Sequence, residues 1–168
     1  LYYLAEYADK YGYDVKVKYY NSFDAVSELL PNLINKTSCR IIGFYVDSEN
    51  IWTLRTLAPL LHKSCPQLHI VLGGPQVTGD PYGTMQLVPN AVCGIIGEGE
   101  VPFLKLLQAD SINEGVLKAI NGLIYYDSSR ELAVTKPQKQ NRNIDDYGYP
   151  RREKYCLDSD KVTFPQLI

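Results

Sequence analysis

The 168-residue sequence predicts an α/β fold built on a parallel sheet, and three observations point to it. Short apolar runs typical of buried strands recur along the chain, and segments with apolar residues at helical spacing separate them. Several of these runs end in glycine, which is typical of the turn from a strand into the next helix. Strands that alternate with helices require crossover connections, so we expect the strands to lie parallel in one sheet.

The N-terminal half of the chain contains three predicted helices and two predicted strands. The helices have apolar residues at every third or fourth position, and the strands have alternating or continuous apolar residues. In chain order the elements are a helix over Leu1–Tyr11, an edge strand over Asp14–Tyr20, a helix capped by Ser22, a buried strand over Arg40–Val46 and a helix from about Asn50. Pro59 lies inside the last helix, where a proline costs about 3 kcal/mol, so we expect a kink or an early end there.

The C-terminal half contains two further predicted strands, two helices and a hairpin. In chain order these are a strand over Leu68–Leu72, a loop over Gly73–Gly83, a short helix over Met85–Val88, a strand over Val92–Ile96, a helix over Val101–Gln108 and a hairpin of Asn121–Tyr126 with Glu131–Thr135. From Lys136 the sequence is polar and irregular, like a linker. We therefore predict an α/β domain over residues 1–110, a hairpin extension over 111–136 and a linker over 137–168.

Composition excludes several classes of function. The formal net charge is −2 and no basic run occurs, so we expect no nucleic acid partner. The apolar stretches are far shorter than the roughly 18 residues that span a bilayer, so we expect no membrane partner. Its four cysteines are widely spaced without a C-x-x-C pair, which argues against a metal site in this chain and favours free thiols in the cytoplasm.

Two glycine-rich turns follow the last two buried strands. They are Gly73-Gly74-Pro75 and Gly97-Glu98-Gly99-Glu100. In an open parallel sheet, ligands bind beyond the carboxyl ends of the strands, and residues without Cβ let a bulky ligand approach the backbone. The turns therefore predict a site for a large cofactor, although each alone is also typical of an ordinary tight turn.

Other sites at this edge fit the sequence less well. A dinucleotide site requires G-x-G-x-x-G after the first strand, whereas Gly97-Glu98-Gly99 lies after a late strand and its glutamates would repel phosphate. A phospho-acceptor role for Asp47 would require a lysine where Gly97-Glu98 stands. Asp47 or Ser48 also fits a helix N-cap, which is compatible with ligand contact. His62 and His69 are weak candidates for metal ligands, and the sequence suggests no arrangement of side chains suited to catalysis.

Several segments, in their order and spacing, resemble one known family. These are L-A-E-Y-A-D-K-Y-G-Y-D-V-K-V, I-I-G-F-Y-V-D-S-E-N-I, H-I-V-L-G-G-P-Q-V-T, G-I-I-G-E-G-E-V-P-F-L-K-L-L and I-N-G-L-I-Y-Y-D. Together they resemble the cobalamin-binding domain at the N-terminus of cobalamin-dependent radical S-adenosylmethionine (SAM) proteins. The tail I-D-D-Y-G-Y-P-R-R is similar to the linker that leads into the radical domain of that family.

The resemblance implies a flavodoxin-like sheet that holds cobalamin over its carboxyl edge for methyl transfer or related radical chemistry. The residues that it implies for cobalamin binding follow three successive strands: Tyr45, Val46, Asp47, Ser48 and Asn50; Gly73, Gly74, Pro75, Gln76 and Thr78; and Gly97, Glu98, Gly99 and Glu100. It places the iron–sulfur cluster and SAM in a further, linked domain. We therefore expect the longer protein to be a radical SAM enzyme and this chain alone to show no turnover.

Two features depart from the family pattern. The first strand, with the D-x-H-x-x-G histidine of classical cobalamin proteins, would fall before Leu1. We expect its place in the sheet to be filled by Val162–Ile168, by a partner chain or not at all, and an exposed edge would favour a homo-oligomer. Tyr45 stands where related sequences often have a small hydroxyl residue, so its ring would stack near the corrin or partly block it.

Two other functions remain open at the level of sequence. The first is a non-catalytic, flavodoxin-like interaction or regulatory domain that binds no corrin, and a crevice closed by Tyr45 or the Gly73 turn would favour it. The second is a nucleotide-sugar or flavin binder that uses the same edge, and a yellow or phosphate-bearing ligand retained on purification would favour that.

Overall fold

The structure is a computed structural model that describes residues 1–19, 23–37, 39–141 and 143–155. Its helices are α1 (Tyr2–Asp9), α2 (Phe23–Thr37), α3 (Ile51–Ser64), α4 (Pro75–Gly79), α5 (Pro81–Leu87), α6 (Glu100–Gln108), α7 (Glu114–Ala119), the 3₁₀ helix η1 (Ile144–Tyr147) and α8 (Arg152–Tyr155). Its strands are β1 (Ile41–Tyr45), β2 (His69–Gly73), β3 (Ala91–Ile95), β4 (Leu123–Tyr126) and β5 (Leu132–Val134).

The five strands form one mixed sheet in the order β1-β2-β3-β4-β5. β1, β2 and β3 are parallel, which confirms the predicted flavodoxin-like α/β class. The predicted hairpin also forms, and it extends the same sheet because β4 pairs antiparallel with β3 and β5 pairs antiparallel with β4. The carboxyl ends of the three parallel strands therefore lie along one edge.

Hydrophobic clusters cover both faces of the sheet because side chains along each strand point alternately to opposite faces. Ile70 and Leu72 of β2 belong to the cluster that contains the buried residues of α3. Val71 belongs to the opposite cluster, with Phe103 and Leu106 of α6. The predicted apolar face of α3 (Ile51, Leu54, Leu57 and Leu61) is buried. Leu30 and Ile34 of α2 are buried too.

The prediction of a strand over Asp14–Tyr20 is wrong for residues 14–19, the part of this range that the structure describes. Val17 forms only an isolated bridge, and residues 13–16 are irregular. Val17 is 5% exposed and packs with Ala5 of α1 and half-buried Val15. The alternating valines therefore reflect packing near α1 rather than a place in the sheet.

Three further predictions need correction. The loop Gly73–Gly83 contains α4 and the start of α5, since prolines at the first helical position pre-set the backbone for both helices. α3 does not end early at Pro59 but continues to Ser64. β1 is only partly buried, since among its residues only Ile41 is buried and Tyr45 is 49% exposed.

Some predictions concern residues outside the described ranges, namely the Ser22 cap and the segment Val162–Ile168. Within the described ranges, no helix is both long and apolar enough to cross a membrane. No group of three metal-ligating side chains converges in this part of the chain either. Cys39, Cys65 and Cys93 are free thiols, and burial raises the pKa of Cys93 to about 12.

Candidate functional site

Backbone hydrogen bonds join the loops that follow β1 and β2. The Val46 N–H donates to the Gly73 carbonyl at 2.7 Å, and the Gln76 N–H donates to the Val46 carbonyl at 3.1 Å. These two bonds hold the end of β1 against the start of α4. The first two groups of predicted cofactor-binding residues therefore lie side by side at the carboxyl edge.

Thr78 connects the second loop to the third. Its hydroxyl donates to the Gly74 carbonyl at 3.1 Å and accepts from the Gly97 N–H at 3.0 Å. Thr78 is itself exposed, so this link lies at the surface of the edge. All three predicted loops thus form one continuous, hydrogen-bonded rim, which is what a ligand larger than a single loop requires.

Asp47 and Asn50 stabilise the turn that leads from β1 into α3. The Asp47 carboxylate accepts from the Asn50 N–H at 2.9 Å, and the Asn50 side-chain oxygen accepts from the Asp47 N–H at 3.1 Å. The Asn50 amide also donates to the Tyr45 carbonyl at 2.9 Å. The N-cap of α3 is Asn50, without a side-chain cap bond, so the predicted N-cap role of Asp47 or Ser48 is wrong. Asp47 and Asn50 instead hold the loop in shape.

Gly73 and Gly74 differ in what they contribute to the rim. Gly74 has φ +107°, and a Cβ there would lie 2.7 Å from the Val46 carbonyl oxygen, so the fold itself requires glycine at this position. A Cβ at Gly73 would meet no atom within 4 Å, and its backbone is not left-handed. The open space beside Gly73 thus leaves the backbone accessible to a flat ligand.

Tyr45 lies against this glycine turn. Its Cδ2 atom is 3.2 Å from the place where a Cβ on Gly74 would stand. The side chain remains 49% exposed, so its ring borders the rim without being buried in it. The ring can therefore offer one face to a bound aromatic or conjugated group.

The third loop is held from its far side by the C-terminal segment. The Glu98 carboxylate accepts from the Tyr147 hydroxyl at 2.9 Å and from the Asn141 N–H at 3.2 Å. Burial and this carboxylate raise the pKa of Tyr147 above its ordinary value. The sequence did not identify Asn141 and Tyr147 as neighbours of the site, because they lie more than 40 residues further along the chain. The aromatic motif I-D-D-Y-G-Y was the only signal.

The rim is acidic rather than basic. The three loops carry Asp47, Glu49, Glu98 and Glu100, and no lysine, arginine or histidine occurs within Tyr45–Asn50, Gly73–Thr78 or Gly97–Glu100. Glu100 begins α6, where a carboxylate is favourable beside the helix N-terminus. This charge pattern disfavours a site organised around phosphate and suits a large ligand held through backbone groups.

Comparison with known proteins gives one matching family and two similar proteins. A sequence profile of the B12 binding domain family matches residues 1–107. An uncharacterized methyltransferase of Pyrococcus horikoshii is 27% identical over 151 residues, which are 89% of this chain and 32% of that protein. The chain thus spans 32% of that relative's length. The N-terminal domain of a hypothetical protein of Thermotoga maritima aligns over 65% of this chain and 82% of its own, with 22% identity and a TM-score of 0.45.

Proposed function

Because the chain belongs to the B12 binding domain family, and cobalamin is therefore its expected cofactor, we propose that it holds cobalamin on the rim for methyl transfer carried out with a linked radical SAM domain. The observation that supports this location is that hydrogen bonds join the loops after β1, β2 and β3 into one rim, on which the Cβ position of Gly73 faces open space. The fourteen residues that the sequence resemblance implies for cofactor binding lie in the three loops of this rim, and they remain our proposed site.

The loops have distinct tasks in this proposal. Gly73 leaves room for the corrin to approach the backbone, while Asp47 and Asn50 hold the first loop in a fixed shape. Thr78 keeps the second and third loops together, so the rim is organised before the ligand arrives. Preorganisation of this kind reduces the entropy lost on binding.

Bound cobalamin would supply a cobalt centre able to carry a methyl group, and the protein would supply binding and orientation. The chain covers 32% of the length of its methyltransferase relative, and we assign the chemical step to a further domain of a longer protein. The name of the Pyrococcus horikoshii relative, a methyltransferase, supports methyl transfer as the reaction class.

The test is a titration with hydroxocobalamin, followed by desalting to measure how much pink colour stays with the protein. We expect retention near one equivalent for the wild type. Gly73→Val should weaken retention at least tenfold, about 1.4 kcal/mol, because its side chain would fill the space left for the corrin. Gly74 is unsuitable for this purpose, since a side chain there would clash with Val46.

Gly79→Val is the matched control. Gly79 also has open space around its Cβ position and an unstrained backbone, but it lies beyond the Gly73–Thr78 segment at the end of α4. We expect it to bind like the wild type. Equal weakening by both variants would contradict the assignment to Gly73, and no retention by the wild type would overturn the proposed function in this chain.

A further inference from the structure

The C-terminal segment, which we term the strap (residue 141 and residues 143–155), lies against α1. The ring of Tyr147 contacts the ring of Tyr7 edge-on, with centroids 5.2 Å apart, and Tyr147 is 6% exposed. Lys10 donates to the Asp146 carbonyl at 2.8 Å. Gly148 passes so close to α1 that a Cβ there would lie 2.8 Å from the Lys10 side chain. The strap is therefore packed against α1.

An ion-pair cluster fastens the far end of the strap. The Arg151 guanidinium donates to both carboxylate oxygens of Glu6, at 2.8 and 3.2 Å, and to Asp9 at 3.2 Å. The Glu6 residue is only 6% exposed, so this carboxylate depends on its partners for solvation. Lys154 pairs with Asp9 as well. The end of the strap is thus held by two carboxylates of α1.

The near end of the strap is fastened to the rim itself through Glu98. The turn that carries Glu98 begins at Gly97, which has φ +84° and no neighbour around its Cβ position. Two sets of hydrogen bonds hold this turn. On the rim side, the Gly97 N–H donates to the Thr78 hydroxyl. On the strap side, the Asn141 N–H and the Tyr147 hydroxyl donate to the Glu98 carboxylate. A shift of the turn would alter both sets together.

We propose that docking of the strap and occupation of the rim by cobalamin are coupled through this turn, with Glu98 as the residue that joins them. Glu98, one of the fourteen residues of the proposed site, is then also a positioning residue for the strap. This inference rests on the proposed function, because cobalamin is taken as the occupant of the rim. Coupling is reciprocal, so cobalamin must tighten the strap by the same factor by which a docked strap tightens cobalamin.

The test is hydrogen exchange of the strap peptide, with and without saturating hydroxocobalamin, together with the dissociation constant of hydroxocobalamin. Tyr147→Phe removes the hydroxyl that donates to Glu98 and keeps the ring that packs on Tyr7. We expect strap exchange roughly tenfold faster in this variant without ligand, as for loss of a hydrogen bond to a charged group. In the wild type, hydroxocobalamin should slow strap exchange by about fivefold or more, and the variant should bind it correspondingly more weakly.

Tyr149→Phe is the matched control, since Tyr149 lies in the same strap and is 86% exposed. It should behave like the wild type in both measurements. Arg151→Gln loosens the strap at the end away from the rim, so it should weaken hydroxocobalamin binding as well if the effect passes through the strap. It also serves as the second variant, should Tyr147→Phe fail to fold.

The outcomes separate this inference from the proposed function. Equal dissociation constants in the wild type, Tyr147→Phe and Arg151→Gln, with strap exchange unaffected by the ligand, would overturn the coupling while leaving cobalamin binding intact. Failure of the wild type to bind hydroxocobalamin would overturn both proposals. Faster strap exchange and weaker binding in both variants, with Tyr149→Phe unchanged, would support the coupling.

Discussion

Tyrosine phenols with a raised pKa make the stability of the protein sensitive to alkaline pH, and Tyr147 and Tyr7 are two of them. Burial, followed by the Glu98 carboxylate, raises the pKa of Tyr147, and a hydrogen bond to Tyr11 together with burial raises that of Tyr7 to about 12. An unfolded tyrosine titrates near pH 10, so above that pH the unfolded chain loses protons that the folded chain retains. The stabilisation is therefore complete below about pH 10 and is lost as the pH rises through the raised values.

We expect the free energy of unfolding, measured with urea at pH 8, 10 and 11, to fall across this series. Tyr147→Phe removes one of these phenols and should reduce the slope above pH 10. Tyr149→Phe, at an exposed position of the same segment, controls for other groups that titrate in this range. Identical slopes for the two variants would contradict a contribution from Tyr147.

The residues of the rim show what sequence can predict about a site. Glycines after two apolar strands support the proposal of a ligand edge there, because parallel strands bring their carboxyl ends together. The sequence did not distinguish Gly73 from Gly74, since this depends on backbone conformation and on the distance to Val46. Nor did it show that Glu98 is engaged by Tyr147, a contact between residues 49 positions apart.

At the scale of elements, the cap of α5 supports the second loop of the rim. The Asp80 carboxylate accepts from the Gly83 N–H at 2.9 Å, and the Asp80 carbonyl accepts from the Thr84 hydroxyl at 2.6 Å. Asp80→Ala should destabilise the protein by about 1 kcal/mol, the usual cost of an N-cap. It should also weaken hydroxocobalamin binding, because α4 and the Gly73–Thr78 loop directly precede the cap.

Asn113→Ala is the comparison for this prediction. Asn113 caps α7 through the Val116 N–H at 3.1 Å, and its helix belongs to the hydrophobic cluster on the other face of the sheet from α5. Urea unfolding should show a similar loss of stability, and desalting after titration should show unchanged retention of hydroxocobalamin. Weaker retention in both variants would mean that general destabilisation, not the cap of α5, controls binding.

Helices and strands were predictable from the sequence where burial in the sheet determines which residues are apolar, and not elsewhere. Continuous apolar runs correctly predicted β2 and β3, since strands buried on both faces leave little room for polar residues. Alternation at Val15 and Val17 predicted a strand that does not form, because the same alternation arises when residues pack against a helix. The interior Pro59 did not end α3, whose five buried apolar positions outweigh the lost hydrogen bond.

At the scale of the whole molecule, the strap changes how the proposed domain organisation should be understood. Residues 137–168 were predicted to be a linker, and the division into domains remains a prediction. The part of this segment up to residue 155 is nevertheless fastened to α1 and to the rim by side-chain hydrogen bonds. The last described residues therefore lie beside α1, where Lys154 pairs with Asp9.

Binding of cobalamin to the folded rim should raise the thermal stability of the whole chain. A ligand selective for the folded state stabilises it by about 2.7 kcal/mol at one hundred times its dissociation constant. For a chain of 168 residues this corresponds to a rise in Tm of roughly 5–10 °C. Differential scanning calorimetry with hydroxocobalamin measures this rise in Tm directly, and Gly73→Val should show little rise at the same concentration.

The rim contains residues from the loops after β1, β2 and β3, so it exists only when the sheet is assembled, and the unfolded chain offers no equivalent site. A protein that keeps the pink colour without any rise in Tm would show that cobalamin binds folded and unfolded chains alike, contrary to a site built by the fold.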